Sequence, residues 1–126
     1  MVYMRHETEL PLATQKWGWK FHHIGIPVKY PIPGEKYIPH LKLFVKGFDS
    51  SPFGIEYMRF EEDAPFDELI KTVPHLAFVV PKIEEAIKDF EILNDINSPM
   101  KGCKVAMIKH DGSPVELMEF DNKIRG

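Results

Sequence analysis

Two stretches of this chain carry histidine at or next to their start and run on as short apolar strands, HHIGIPV (residues 22–28) and PHLAFVV (74–80). Each is followed further along by a second strand-like run with glutamate at its third position, GIEYMRF (54–60) and PVELMEF (114–120). Such an echo restricts the fold: it implies two pseudo-equivalent modules whose sheets share a site. A chain of 126 residues is one domain by length, with enough material to bury a core. We place that domain at residues 17–122. Residues 1–16 are a polar N-terminal extension without sustained period, expected to lie along a neighbouring surface.

The local pattern predicts an α+β fold. Residues 19–28 are aromatic and β-branched and end in proline, which reads as a strand. Residues 29–39 contain Pro31, Pro33, Gly34 and Pro39, which rule out a long helix and give an extended loop. Strands follow at Leu41 to Lys46 and Phe53 to Phe60, separated by turn residues 47–52. An acidic connector with a short helical turn near Pro65 to Ile70 leads to a strand at residues 74–81. Ile83, Ala86, Ile87, Phe90 and Leu93 then recur at helical spacing, predicting an amphipathic helix of about three turns. Strands at Lys104 to Lys109 and Pro114 to Phe120 close the chain around Asp111-Gly112, a hairpin signal.

Composition excludes several classes. Sixteen basic against nineteen acidic residues give a net charge of −3, with no basic stripe, so no nucleic-acid partner is expected. No apolar run approaches the roughly 20 residues that span a bilayer, so no membrane partner is expected either. The single cysteine, Cys103, cannot form an internal disulfide and is read as a structural thiol. No signal-peptide pattern opens the chain, and the expected location is cytoplasmic.

Strand alternation decides which side chains can converge. His23 shares a face with Gly25 and Pro27, and His75 with Ala77 and Val79. A small residue two positions on leaves room beside each imidazole. Glu56 lies with Met58 and Phe60, and Glu116 with Met118 and Phe120. A carboxylate on an apolar strand face is costly to bury unless it is paired or metal-bound. Singly, each of these residues is more often a core, rim or solvent-facing group. Jointly, one per strand in two echoing halves, His23, Glu56, His75 and Glu116 form a candidate N₂O₂ metal set. Alternation sends His22 to the opposite face with Ile24 and Ile26, while His6, His40 and His110 fall in the extension or at element ends, and Glu119 is expected to be exposed.

At these residues the chain resembles the vicinal oxygen chelate superfamily, which includes glyoxalase I, methylmalonyl-CoA epimerase, extradiol dioxygenases and bleomycin-resistance proteins. HHIGIPV resembles the opening DHIGIAV strand, whose ligand maps to His23 rather than His22. GIEYMRFEEDAPF resembles the VELLEPLxxDSP strand and points to Glu56; PHLAFVVPKIEEAI resembles HIAFxVDDIEAA and points to His75; DGSPVELMEF resembles DGxxIELxE and points to Glu116. The likeness covers residues 20–121. It implies two βαβββ-type modules forming a curved mixed sheet around a cleft. The first is shortened: 56 − 23 = 33 positions separate its ligands, against 116 − 75 = 41 in the second, and the proline-rich loop replaces its helix.

The resemblance further implies one divalent ion (zinc, nickel, cobalt, manganese or iron) that chelates two oxygens of a small-molecule substrate and stabilises an enediolate or enolate. Glu116, assisted by Glu56, is the expected proton carrier. The expected function is a lyase or isomerase of the glyoxalase and epimerase type, working as a homodimer. Two rivals remain: an iron-dependent ring-cleaving dioxygenase, which needs no fourth protein ligand, and a metal-free module that sequesters small molecules.

Overall fold

The structure is a computed structural model that describes residues 5–121. Residues 1–4 of the extension and residues 122–126, including the last residue of the expected domain, lie outside the described residues. Eight strands form one mixed sheet in the order β2-β3-β4-β1-β5-β8-β7-β6. The first module is β1 (Lys20–Pro27), β2 (Lys36–Ile38), β3 (Leu43–Lys46) and β4 (Ile55–Phe60). The second is β5 (His75–Val79), a helical segment, β6 (Glu91–Met100), β7 (Cys103–His110) and β8 (Ser113–Phe120). Within each module the first strand pairs in parallel with the last, β1 with β4 and β5 with β8. The modules meet where β1 and β5 run antiparallel at the centre of the sheet. This is the α+β fold that the sequence pattern predicted and the two-module curved sheet that the resemblance implied, with no α-helix in the first module between β1 and β4 among the described residues.

The proline-rich loop that stands in for that helix is pinned to the sheet. Arg59 on β4 donates to both carboxylate oxygens of Glu35, and its guanidinium lies 3.9 Å over the Phe44 ring. The loop is not wholly irregular: Lys36-Tyr37-Ile38, flanked by Gly34 and Pro39, adds the short edge strand β2. Proline density hid it, because only three residues escape the turn chemistry. The strand expected from Leu41 starts at Leu43, since Leu41 ends a 3-10 turn (Pro39–Leu41) and Lys42 takes φ 53°.

In the second module the expected three-turn helix is shorter. It comprises α3 (Ile83–Ala86) and a 3-10 turn (Ile87–Asp89), after which Phe90 is already extended. Leu93 keeps the helical spacing in sequence but lies in β6. Strand β6 escaped the sequence reading because it is an edge strand whose pairing with β7 shifts register three times. Each shift flips the inward face, so apolar and polar residues never alternate for long. The Asp111-Gly112 hairpin forms as expected, both residues at positive φ (47° and 79°).

Two apolar clusters lie on opposite faces of the second module. One face buries Trp19, Phe78, Val80, Ile83, Ala106, Ile108 and Leu117 under the helical segment. Ala13 of α1 (Leu12–Gln15), within the N-terminal extension, also packs on this cluster. The other face buries Ala77, Cys103, Val105 and Met118, with Phe48 and Phe120 against them. Neighbours in sequence such as Ala77/Phe78 and Leu117/Met118 divide between the two, as the two-residue strand period requires. Between the modules, α2 (Glu68–Thr72) starts at Asp67, whose side chain accepts from Leu69 N, and buries Ile70 fully. Among the described residues no helix is long and apolar enough to cross a membrane.

Candidate metal centre

Three adjacent strands, β1, β5 and β8, bring His23, His75 and Glu116 together, and neighbouring β4 sets Glu56 against His23. Register explains why. Gly25 on β1 stands opposite both His75 on β5 and Glu56 on β4. Ala77 on β5 stands opposite both His23 on β1 and Glu116 on β8. Each histidine thus projects beside the small residue of the other module, and each glutamate enters from the outer flank. The glycine is required: a Cβ on Gly25 would lie 2.1 Å from Cε1 of His75. At the equivalent position beside His23, the Cβ of Ala77 is accommodated.

His75 Nε2 is 2.9 Å from Glu116 Oε1, and His23 Nε2 is 3.4 Å from both Glu116 Oε1 and Glu56 Oε1. Ligand atoms of His23, His75 and Glu116 all lie within 4.8 Å of one another. Glu56 stands beside this trio, reached through His23. His23, His75 and Glu56 are buried, and the Glu116 side chain is nearly so.

Charge follows geometry. Burial opposes a charged His23, yet the adjacent Glu116 and Glu56 outweigh it and raise its pKa from 6.5 to about 9. Burial likewise opposes ionised Glu116, but His23 and His75 outweigh it and lower its pKa from 4.5 to about 2. Without a cation, the centre is therefore an imidazolium clamped by carboxyl groups.

The donor set fits a divalent ion. Donors about 2.0–2.2 Å from one ion stand roughly 3.0–3.5 Å apart at right or tetrahedral angles, near the spacings found here. His23 Nε2 is also a buried nitrogen with no well-formed hydrogen-bond partner among the described residues, a cost that an ion would relieve.

Glu56 and Glu116 open into a cleft of about 700 Å³. Its walls are largely apolar, with Leu43, Val45 and Met58 from the first module and Val105 and Met118 from the second. The outer edges approach across it, where His40 Nε2 lies 3.3 Å from the Ser98 carbonyl oxygen. Lys36 and Asp49, 3.4 Å apart and exposed, stand at its rim.

One neighbour of the site was not legible. Pairing of β1 with β5 shifts register between Phe21 and His23, and this bulge brings His22 beside His23 instead of turning it away. The two Nδ1 atoms are 2.8 Å apart. Strict alternation cannot reveal that; the tandem histidines were the only hint. Glu119, expected to be exposed, accepts from Ile83 N at 2.8 Å and caps α3.

No family model matches this sequence, and no curated protein does. Among solved structures, the chain is similar to a hypothetical protein, BH1468, from Bacillus halodurans C-125. The TM-score is 0.61 at 21% identity, covering 80% of this chain and 94% of that one. It is also similar to methylmalonyl-CoA epimerase from Mycobacterium tuberculosis, with TM-score 0.57 at 15% identity, covering 84% of this chain and 91% of that one. At such identities the likeness shows the fold, the curled mixed sheet of the vicinal oxygen chelate type.

Proposed function

We propose that this protein is a metal-dependent lyase or isomerase of the glyoxalase and epimerase kind, acting on a small substrate with two neighbouring oxygens. The observation that carries this reading is the cluster of two buried imidazoles and two carboxyl groups, of which Glu56 and Glu116 line an apolar cleft. His23, His75 and Glu116, joined by Glu56, would hold one zinc, nickel, cobalt, manganese or iron ion. When bound, such an ion supplies Lewis acidity that lowers the cost of negative charge on a substrate oxygen. Glu116, assisted by Glu56, takes a proton from the carbon next to a carbonyl and returns it. The apolar walls exclude water, which strengthens every charge interaction at the site. The shared fold with an epimerase supports the reaction class.

Elemental analysis of the purified protein tests this. About one divalent ion per site is expected, lost in His75→Ala and Glu116→Ala. Unchanged metal content in those variants overturns the proposal. A loaded protein is then assayed on α-hydroxy-carbonyl and thiohemiacetal substrates.

The compact trio His23, His75 and Glu116 favours one second reading, since two histidines and one carboxylate also suit iron(II) oxygenases. Oxygen uptake on a catechol with iron(II), and no exchange of a carbon-bound proton, would select it. No bound metal, and no metal-induced rise in Tm, would select a sequestering module instead. We also assign the chain to a homodimer, supported by the exposed rings of Trp17 and Phe21. A species of 14.6 kDa in light scattering would overturn that assignment.

A further inference from the structure

We propose that His22 is a positioning residue: by accepting the Nδ1–H of His23, it fixes the tautomer in which His23 Nε2 is free to bind the cation. The inference rests on the metal reading above and goes beyond it, since nothing in the ligand set requires a partner at this position.

Three observations carry it. First, the Nδ1 atoms of His22 and His23 are 2.8 Å apart, a separation that requires one proton between them. Second, Nε2 is the His23 atom directed at Glu56 and Glu116. An imidazole that binds a cation through Nε2 keeps its remaining proton on Nδ1, so His23 donates and His22 accepts. Third, the acceptor is held in place. The His22 ring lies between the Phe48 and Phe120 rings, with centroids 5.2 and 5.6 Å away and tilts of 38° and 33°. The bulge between Phe21 and His23 makes this arrangement possible, because it places consecutive side chains on one side. His75 offers the contrast: its Nδ1 is buried with no hydrogen-bond partner among the described residues. Only the first-module imidazole is braced from behind.

Two substitutions separate bracing from packing. His22→Phe keeps a ring between Phe48 and Phe120 and removes the acceptor. His22→Asn removes the ring and places an amide oxygen near the position of Nδ1. Zinc affinity is read by competition with a chelator, beside the Tm of each metal-free protein. Loss of the acceptor should weaken binding about 10- to 100-fold in His22→Phe, whereas His22→Asn should stay within about threefold of the wild type. A packing role predicts the reverse order. In the zinc-loaded wild type with ¹⁵N-labelled histidine, coupling across the N–H···N bond should place the proton on His23 Nδ1. That measurement decides the matter even if a variant does not fold. Wild-type zinc affinity in His22→Phe overturns the proposal, as does a proton found on His22 Nδ1, and either result leaves the metal centre standing. A wild type that takes up no zinc or other first-row ion overturns the metal centre, and this role falls with it.

Discussion

The two modules share a plan and differ in what supports them. In the second, β7 and β8 carry buried side chains on both faces, and β7 alone buries Cys103, Val105, Ala106, Met107 and Ile108. A helical segment covers one face, and cleft residues line the other. In the first, no α-helix lies between β1 and β4 among the described residues, β2 and β3 are short, and the buried apolar side chains among the described residues of β1–β4 are Leu43 and Met58. Both nevertheless contribute one imidazole and one carboxyl group to the same cluster, with Glu56 at its edge. Burial is concentrated in one module, while the candidate donors are divided equally. The β1–β5 seam and the site residues that meet there join the first module to the second.

The seam is where this contrast is easiest to break. Gly25 and Ala77 occupy equivalent positions, yet only Gly25 lacks room for a Cβ. Gly25→Ala should destabilise the protein by roughly 3 kcal/mol or more in urea denaturation and abolish metal uptake, because the His75 ring must move. Ala77→Gly should cost only about 1 kcal/mol. Equal costs would show that the two positions are not distinguished. Truncations compare the cores. Leu117→Ala, in a sealed interior, should cost about 3 kcal/mol, against about 2 kcal/mol for Leu43→Ala, whose loss enlarges an open cleft. A costlier Leu43→Ala would reverse the ranking of the modules.

Titration sharpens the comparison at the site itself. His23 contributes stability that is complete below pH 6.5 and lost as pH rises through about 9. Glu116 contributes stability that is complete above pH 4.5 and lost as pH falls through about 2. The metal-free protein should therefore gain most from this pair between pH 4.5 and 6.5, with Tm falling on either side. A saturating divalent ion displaces the His23 proton, so the alkaline fall should vanish in its presence. A metal-free Tm that does not fall as pH rises through 9 would contradict the clamped imidazolium. The smallest effect is expected at the helix: Glu119→Ala, which uncaps α3, should cost about 1 kcal/mol and leave metal content unchanged.

Much of this was legible in the chain, for stated reasons. Two short strands with a histidine and two with a glutamate, in matching order, located the central strands, since period-two patterning survives where pairing is regular. Gly25 was readable as space beside an imidazole, though the ring that fills it belongs to His75 and not to His23. What stayed hidden involves broken register. The bulge at Phe21/His23 cancels the alternation that would have turned His22 away, and the three shifts along β6 erase the pattern that would have marked it as a strand. The helix was overextended because Leu93 continues a helical spacing into a strand, where tertiary pairing overrides it.

The antiparallel seam has one more consequence. Each module is a continuous stretch of chain, and the connector between them, residues 61–74, contributes none of the four donors. A nick there would leave two fragments with one imidazole and one carboxylate apiece, too few to keep an ion against competition from water. Cation retention would return only when the pieces found each other again. Ion affinity in this protein would then serve as a gauge of assembly, and a split version of the chain as a sensor that reports reunion.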